Sequence, residues 1–524
     1  MDVASARAVK PLLDEVRLLL ARDSLGEAAA AARRAVVIVP THADLLAALA
    51  RLELRLGDLD AHDHWLDRAI ALRPDRLGWR VRAAVACPPM MRSLAEIERV
   101  RARAAERLDA LCRAEGVIAD PLQDVPTLTY HFAYHGQDDR EINRQVWRVL
   151  RRLAPSLSYT APLAPARGRK LRVAFFSAFF KQHTIGRLFG GLAARIDPSR
   201  FERVVVLTSA PDAPTTAAIG RVDRTVVAPR SVAGARIALA PLALDVLVYL
   251  DIGMEAFASY LAASRLARVQ ATTWGHPNTT GIDTVDAFVS MRDAEPDVDD
   301  PPYTERLYVQ DAPNLYYPAV GVEPDVGRAE LGLPRGRLYG CPQTLFKLHP
   351  EFDAALLGVL DRDPEGVLVL HEGTVPEWRT ILLDRLEAAR PGVSARVHWL
   401  RSMPRGRFIQ TVAALDVMLD PFPFGGGNTT IEALGVGTPV VTLPPRYARG
   451  RLTYTFCKRS GWMDGVATDV DDYCRRAVAL ASPADAAAQR RAIRERARVL
   501  FEDDAGPREL ESVLERMVED HAAG

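Results

Sequence analysis

Lysine is nearly missing from this 524-residue chain: of 67 basic residues, only Lys10, Lys170, Lys181, Lys347 and Lys458 are not arginine. With arginine as the default cation, a lysine set among other suggestive loop residues asks for its own reason, a compact ammonium where a planar fork does not serve. An excess of charge is also missing, because 67 acidic residues balance the 67 basic ones. That argues against nucleic acid or an acidic membrane surface as the main partner, so an anionic ligand must meet local positive charge. The five cysteines (Cys87, Cys112, Cys341, Cys457, Cys474) form no CxxC pair and no cysteine-histidine cluster of zinc type, which argues against a disulfide framework or a structural metal. Nowhere do about 18 uncharged apolar residues run together. The start, "MDVASARAVKPLLDEVRLLLARD", is charged throughout and lacks the apolar centre of a secretory signal. The expectation is a cytoplasmic chain with no membrane span.

What is present begins with a repeat. Leu25 and Leu59, Ala35 and Ala69, and Pro40 and Pro74 are each 34 residues apart, and "LRLGDLDAHDHWLDRAIALRPD" (54–75) has the small, aromatic and proline positions of a tetratricopeptide unit. His62 stands where that pattern wants alanine, which predicts looser helix packing. Two units are fewer than a solenoid needs, so the stack is expected to lean on other parts of the chain. Helices continue through "SLAEIERVRARAAERLDALCRAEG", with a serine cap and a glutamate three residues on. An aromatic patch around "YHFAYH" follows, where His131 and His135 read as packing residues. Proline-rich "APSLSYTAPLAPARGRK" (154–170) reads as a linker.

From residue 171 the rhythm becomes strand, loop, helix. "LRVAFFSAFF", "FERVVVLTS", "LDVLVYLD", "RVQATTWG" and "VDAFVSM" form one set of apolar runs, and "LYGCPQ", "GVLVLHEG", "ARVHWLRS", "DVMLDPF" and "PVVTLP" form a second. Two α/β halves place a cleft between the carboxyl ends of two parallel sheets, where nucleotide ligands bind.

Several loops at strand ends can carry chemistry. "DVMLDPF" leads into Gly425-Gly426-Gly427 and a helix that Asn428 can cap, with Thr429 and Thr430 in its first turn. Glycine allows close approach of backbone to an anion, and open amides at a helix start donate to it; a plain glycine-rich turn is the other reading. The loop lacks the lysine of an NTPase phosphate loop and is not a dinucleotide fingerprint. Glu432, on the same helix, suits either ribose hydroxyls or a dipole-favoured surface position. "CPQTLFKLHPEF" sets Gln343, Thr344 and Lys347 at another strand end, where the ammonium can neutralise a diphosphate. "SAFFKQHTIGRLF" offers His183 from the opposite wall as a general base, as an orienting group for an acceptor hydroxyl, or as a structural loop histidine. "WGHPNTTG" contributes His276, Pro277, Asn278, Thr279 and Thr280, small polar residues able to touch a sugar or an acceptor. No carboxylate pair or DxD motif demands a metal, and no resident cofactor is expected.

In this order, "WGHPNTTG", "TLFKLHPEF", "LDPFPFGGGNTTIEALGVGTPVVTLP" and "RGRLTYTFCKRSG" resemble the O-GlcNAc transferase and SPINDLY-like family, its short bacterial members in particular. The resemblance implies tetratricopeptide helices followed by an α/β GT-B fold of two Rossmann-like lobes: repeats over 1–86, a helical connector and linker over 87–165, an acceptor-side lobe over 166–315, and a donor-side lobe with C-terminal helices over 316–524. The family's diphosphate-binding lysine matches Lys347. The glutamine that precedes it by three in the animal enzyme is Thr344 here, with Gln343 adjacent. Its histidine-threonine-threonine cradle becomes Asn428, Thr429 and Thr430, so an imidazole is lost. Its ribose-binding acid falls near Glu432, its active-site histidine on His183, and "SMPRGRF" suggests Arg405 and Phe408 beside the base. The implied reaction is an inverting, metal-independent transfer from UDP-GlcNAc to protein serine or threonine, with the repeat helices meeting a polypeptide acceptor. A GDP-fucose or UDP-glucose donor, an asparagine or non-protein acceptor, and a tetratricopeptide scaffold with an inactive transferase half are the alternatives.

Overall fold

The computed structural model describes residues 3–163, 168–181, 183–321 and 326–523. The expected boundary between connector and first lobe falls in 164–167, outside the described residues. The repeat is visible in the helix ends. Leu25–Ile38 and Leu59–Leu72 start and stop 34 residues apart and pack against Val3–Ala21 and Ala43–Leu56. Gly57, at φ 93°, ends one helix in the left-handed region that glycine enters without strain, and Asp58 caps the next by accepting from Ala61 N at 2.8 Å. His62 is buried at the alanine position. The stack leans on the second sheet's lobe: Val375 joins its core, and Trp378 Nε1 donates to the Arg55 carbonyl at 2.8 Å.

The connector helices cover one face of the first sheet, where Val149, Leu150 and Leu153 share a core with Phe176, Leu247 and Tyr249. That sheet contains β1 (Leu171–Phe176), β2 (Phe201–Leu207), β3 (Arg224–Val227), β4 (Leu244–Tyr249), β5 (Ala267–Thr273), β6 (Ala287–Met291) and β7 (Arg306–Gln310). They run parallel in the order β3-β2-β1-β4-β5-β6-β7. The second contains β8 (Arg337–Cys341), β9 (Gly366–His371), β10 (Val397–Leu400), β11 (Val417–Leu419) and β12 (Val440–Val441), parallel in the order β10-β9-β8-β11-β12. All ten apolar runs of the sequence are strands. The two it passes over, β3 and β7, are edges: a strand buried on fewer sides needs no continuous apolar run, and "RTVV" and "RLYVQ" are too short and mixed to stand out.

Each sheet winds outward from its first strand and then restarts on that strand's other side, which puts order reversals between β1 and β4 and between β8 and β11. A crevice forms at the carboxyl end of each reversal. The last helix, Ala505–Ala523, crosses back to the first sheet. Glu511 accepts from Asp197 N at 2.9 Å and from Arg200 Nη1 at 2.6 Å, Tyr308 OH donates to Asp520 at 2.8 Å, and Gln310 Nε2 donates to the Gly506 carbonyl at 3.0 Å. Among the described residues no helix is long and apolar enough to cross a membrane.

A side chain at Gly506 would strike the Pro313 carbonyl oxygen, an atom that cannot swing away. Gly506→Ala is expected to loosen this helix at a cost of about 1–3 kcal/mol, read as a lower thermal midpoint. Gly327→Ala, with open space around it, is expected to leave the midpoint unchanged.

Candidate active site

A cavity of about 310 Å³ lies where the two crevices face each other. The loop after β1 brings His183, the loop after β5 brings Trp274 to Pro277, the loop after β8 brings Gln343, Thr344 and Lys347, and the loop after β11 brings Gly425 and Gly427 to Thr429. Four strand-end loops that are far apart in sequence thus converge.

The glycine loop is folded by a buried carboxylate. Asp420 accepts from Gly426 N at 2.6 Å and from Thr442 Oγ1 at 2.8 Å, and burial raises its carboxyl to about 6. Gly426 is therefore tied inward and does not line the cavity. A Cβ on it would lie 2.8 Å from both Gln343 Nε2 and Thr429 Oγ1, so the loop closes this tightly only with glycine. The helix Asn428–Val436 begins with Gly427 in the cap position and no capping side chain. This corrects the expected role of Asn428, which is the first helical residue and turns its Oδ1 to the Tyr317 hydroxyl at 2.8 Å. With no side chain spent on them, the opening amides of this helix are available to a ligand.

Lys347 stands over the same place. Its Nζ donates to the Gly425 carbonyl at 2.9 Å and to Gln343 Oε1 at 3.1 Å, and lies 5.1 Å from the Phe424 ring centroid. These partners are neutral, and burial lowers the ammonium to about 8, partly offset by the Asp420 carboxylate. Gln343 Nε2 donates to Thr429 Oγ1 at 2.5 Å, which joins the lysine loop to the helix start. Thr344 is exposed at the lip.

Other expected donor residues are placed differently. Thr430 is fully buried, its hydroxyl 2.7 Å from that of Thr453. Glu432 is 2% exposed and already engaged, 3.0 Å from Arg405 Nη2 and 3.1 Å from the Tyr317 hydroxyl. Arg405 reaches this site by ion-pairing with Glu432, whereas Phe408 packs half-buried against the core. None of these four lines the cavity.

On the opposite wall, His183 caps the helix Thr184–Phe189: Nδ1 accepts from Ile185 N at 3.2 Å while the ring stacks on Phe179 at 4.6 Å. Burial, with Arg187 and Lys181 nearby, lowers it to about 4. The neutral ring therefore carries its hydrogen on Nε2. His276 is lowered to about 3 by burial and stacks on Tyr130 at 5.2 Å. Of the "WGHPNTTG" residues expected at a sugar or acceptor, His276 and Pro277 reach the cavity and the other three do not. Asn278 donates to Asp139 at 3.0 Å, Thr279 Oγ1 donates to Glu305 at 2.8 Å, and Thr280 N donates to the same carboxylate at 2.7 Å. Buried polar groups of a loop need such partners, and satisfying them turns these side chains inward.

Tyr130 and Tyr134, on the 3-10 turn Tyr130–His135 of the connector, complete the wall. Their hydroxyls are 2.8 Å apart, and Tyr134 stacks on Phe424 at 4.3 Å. The sequence shows them only as an aromatic patch. Asp420 and Tyr317 also escape a sequence reading, because an isolated Asp or Tyr carries no spacing signal. Half-buried His131 and buried His135 are neutral rings, lowered to about 4 and well below the usual range, and pack as expected.

The architecture defines a class: two facing parallel-sheet lobes with a nucleotide-type crevice, the GT-B fold. Over 100% of this chain and 99% of the other, it superposes on a lysine-to-methionine mutant of the O-GlcNAc transferase of Thermobaculum terrenum, with a TM-score of 0.71 and 24% identity. The chain is 27% identical over 238 residues to a Petunia hybrida protein named as a probable UDP-N-acetylglucosamine–peptide N-acetylglucosaminyltransferase, SPINDLY, covering 42% of this chain and 24% of that one. It is 28% identical over 240 residues to a UDP-glucose:protein N-beta-glucosyltransferase of Actinobacillus pleuropneumoniae, covering 44% and 37%. The chain thus spans 24% and 37% of the length of these two sequence relatives. No family model matches it.

Free Lys347 loses its proton above about pH 8, whereas a diphosphate beside it favours the ammonium, so binding takes up a proton and weakens as pH rises. The dissociation constant for UDP is expected to increase by up to about tenfold per pH unit above 8, with proton uptake seen by calorimetry in buffers of different ionisation enthalpy. An affinity flat from pH 7 to 9.5 would contradict this.

Proposed function

We propose that this protein is an inverting, metal-independent glycosyltransferase that moves a sugar from a nucleoside diphosphate donor to a protein side chain, with UDP-GlcNAc and serine or threonine hydroxyls as the favoured pair. The observation that carries the reading is the convergence of Lys347 with the uncapped start of helix Asn428–Val436. An ammonium and a set of backbone amides meet at one end of the cleft, with neutral His183 and His276 facing them. Negative charge develops on the departing diphosphate, and positive groups already fixed there stabilise it most in the transition state. No resident cofactor enters this scheme. The first lobe (166–315) takes the acceptor side and the second (316–524) the donor side.

His183 acts as a donor in this mechanism. With Nδ1 engaged by Ile185 N–H, the nitrogen it can offer a substrate bears hydrogen, so it orients a donor oxygen, and an oxygen of the donor diphosphate takes the acceptor proton. Glu432 meets ribose by exchanging part of its contact with Arg405 and Tyr317, and Arg405 stays near the base.

A second reading keeps the fold and changes the chemistry at both ends, UDP-glucose to asparagine, and is favoured by the name of the Actinobacillus relative. Thermal shift separates the two. UDP and UDP-GlcNAc are expected to stabilise the wild type by about 2.7 kcal/mol at a hundredfold excess over Kd, and Lys347→Ala is expected to abolish the shift and lower kcat by about 10²–10³. Stabilisation by UDP-glucose over UDP-GlcNAc supports the second reading. No shift with any UDP or GDP compound at millimolar concentration leaves only a scaffold. In steady state, kcat/KM is expected to be level from pH 5.5 to 7.5. With the profile taken down to pH 4, an acid limb near 4 that vanishes in His183→Ala would make this histidine the base.

A further inference from the structure

A second cavity, about 270 Å³, opens behind the aromatic wall of the cleft. The segment 126–134 separates the two: Tyr130 and Tyr134 face the cleft, while Thr127, Leu128 and His131 face the second cavity. Its other walls come from the repeat helices Ala43–Leu56, Leu59–Leu72 and Leu77–Ala84 and from the turn after them.

The cavity is built from opposed chemistries. Leu54, Val85, Pro126 and Leu128 give it an apolar floor, and Arg51, Arg55 and Arg82 bring three guanidinium groups to it, with no carboxylate in its lining. Elsewhere in this helical stack arginines are matched: Glu53 takes Arg33 at 2.6 Å, and Asp63 takes Arg103 at 2.9 Å and Arg107 at 3.2 Å. Around the cavity the matching stops. Arg55 has Asp23 only at 3.7 Å, and Arg51 and Arg82 make no salt bridge among the described residues. Half-buried Arg82 donates to the Ala47 carbonyl at a long 3.4 Å. Burial and the repulsion of Arg51 and Arg76 lower it to about 10, partly offset by Asp124, which lies outside the cavity lining and is 3.6 Å from Arg76. His62, its Nδ1 2.9 Å from Asp63, is lowered by burial and adds no charge of its own. In a chain of zero net charge, three guanidiniums gathered over an apolar floor without a carboxylate leave room for one supplied from outside.

We propose that this cavity binds a glutamate or aspartate side chain of the acceptor polypeptide, the arginines taking its carboxylate and the floor an adjacent apolar residue, so that acceptors are selected by an acidic residue flanking the modified one. This rests on the reading of a protein acceptor. Segment 126–134 contributes to the walls of both cavities, so an acceptor that occupies both passes round this segment.

The test uses the full chain and fluorescence anisotropy with a labelled serine-containing peptide bearing flanking glutamates, compared with the same peptide carrying glutamines. Binding is expected for the acidic peptide, about tenfold weaker for the glutamine version and for Arg82→Gln, and weakened by salt. Because Arg82 is half-buried, exposed Arg51→Gln is measured alongside and is expected to shift the affinity in the same direction. The UDP thermal shift is expected to be unchanged in both variants. Equal affinity for the two peptides, or no effect of either substitution, would overturn the proposal. So would competition in which free glutamate or inorganic phosphate binds as tightly as the acidic peptide, which would mark a small-anion site. If the UDP shift is present while peptide selectivity is absent, only the acidic subsite fails. If the UDP shift is absent as well, the transferase reading fails first.

Discussion

The hydrogen bond from Gly426 N to the buried carboxylate of Asp420 is the contact around which the site is arranged. It ties the triple glycine down behind the cavity, so that Gly425 presents its carbonyl to Lys347 and the next residues begin a helix with open amides. A run of three glycines has more conformational freedom than any other tripeptide, and this tie acts together with the bond from Gly425 N to the Arg449 carbonyl at 2.9 Å to fix the loop. The carboxylate is costly to bury, as its raised titration indicates. Thr442, on the continuation of β12, shares the load and couples the loop to the sheet.

Electrostatics in the cleft are local and one-sided. The nearby imidazoles are neutral because they are buried, so Lys347 is the titratable cation on the cavity wall, among described residues lined up chiefly with aromatics and backbone. An arginine would also be cationic, but its planar fork would have to fit between Gln343, Gly425 and Phe424, where a single ammonium forms two hydrogen bonds and faces a ring. The scarcity of lysine elsewhere makes this choice stand out.

The two lobes are bridged at several places, among them Lys458 to Asp293 at 2.7 Å and Arg449 Nη1 to Asn278 Oδ1 at 3.0 Å. The C-terminal helix carries Glu511 and Asp520 to the first sheet, and the repeat stack holds the second lobe through Trp378 and Val375 while its connector covers the first. A cleft held from both ends keeps four strand-end loops in register while leaving its mouth open. Tyr130 and Tyr134 enter the cleft from the connector, so the helical region is part of the site's wall.

Some of this was legible in the sequence because it depends on local pattern. Ten of the strands stand out as apolar runs, most of them buried, the 34-residue offset fixes matching helix ends, and Gly425 to Gly427 before a helix announce an amide-lined loop. Lys347, Gln343, Asn428 and His183 were found as strand-end residues, since in a parallel sheet those ends all point the same way. Tertiary structure decided the rest. It turned Asn278, Thr279 and Thr280 inward to satisfy Asp139 and Glu305, closed Glu432 against Arg405, and made Asn428 a helical residue instead of a cap. It also brought in Tyr130, Tyr134, Asp420 and Tyr317. Periodicity along the chain determines which backbone segments form elements and which ends they expose. Which buried polar group finds which partner depends on contacts between residues hundreds of positions apart, and no local pattern carries that information.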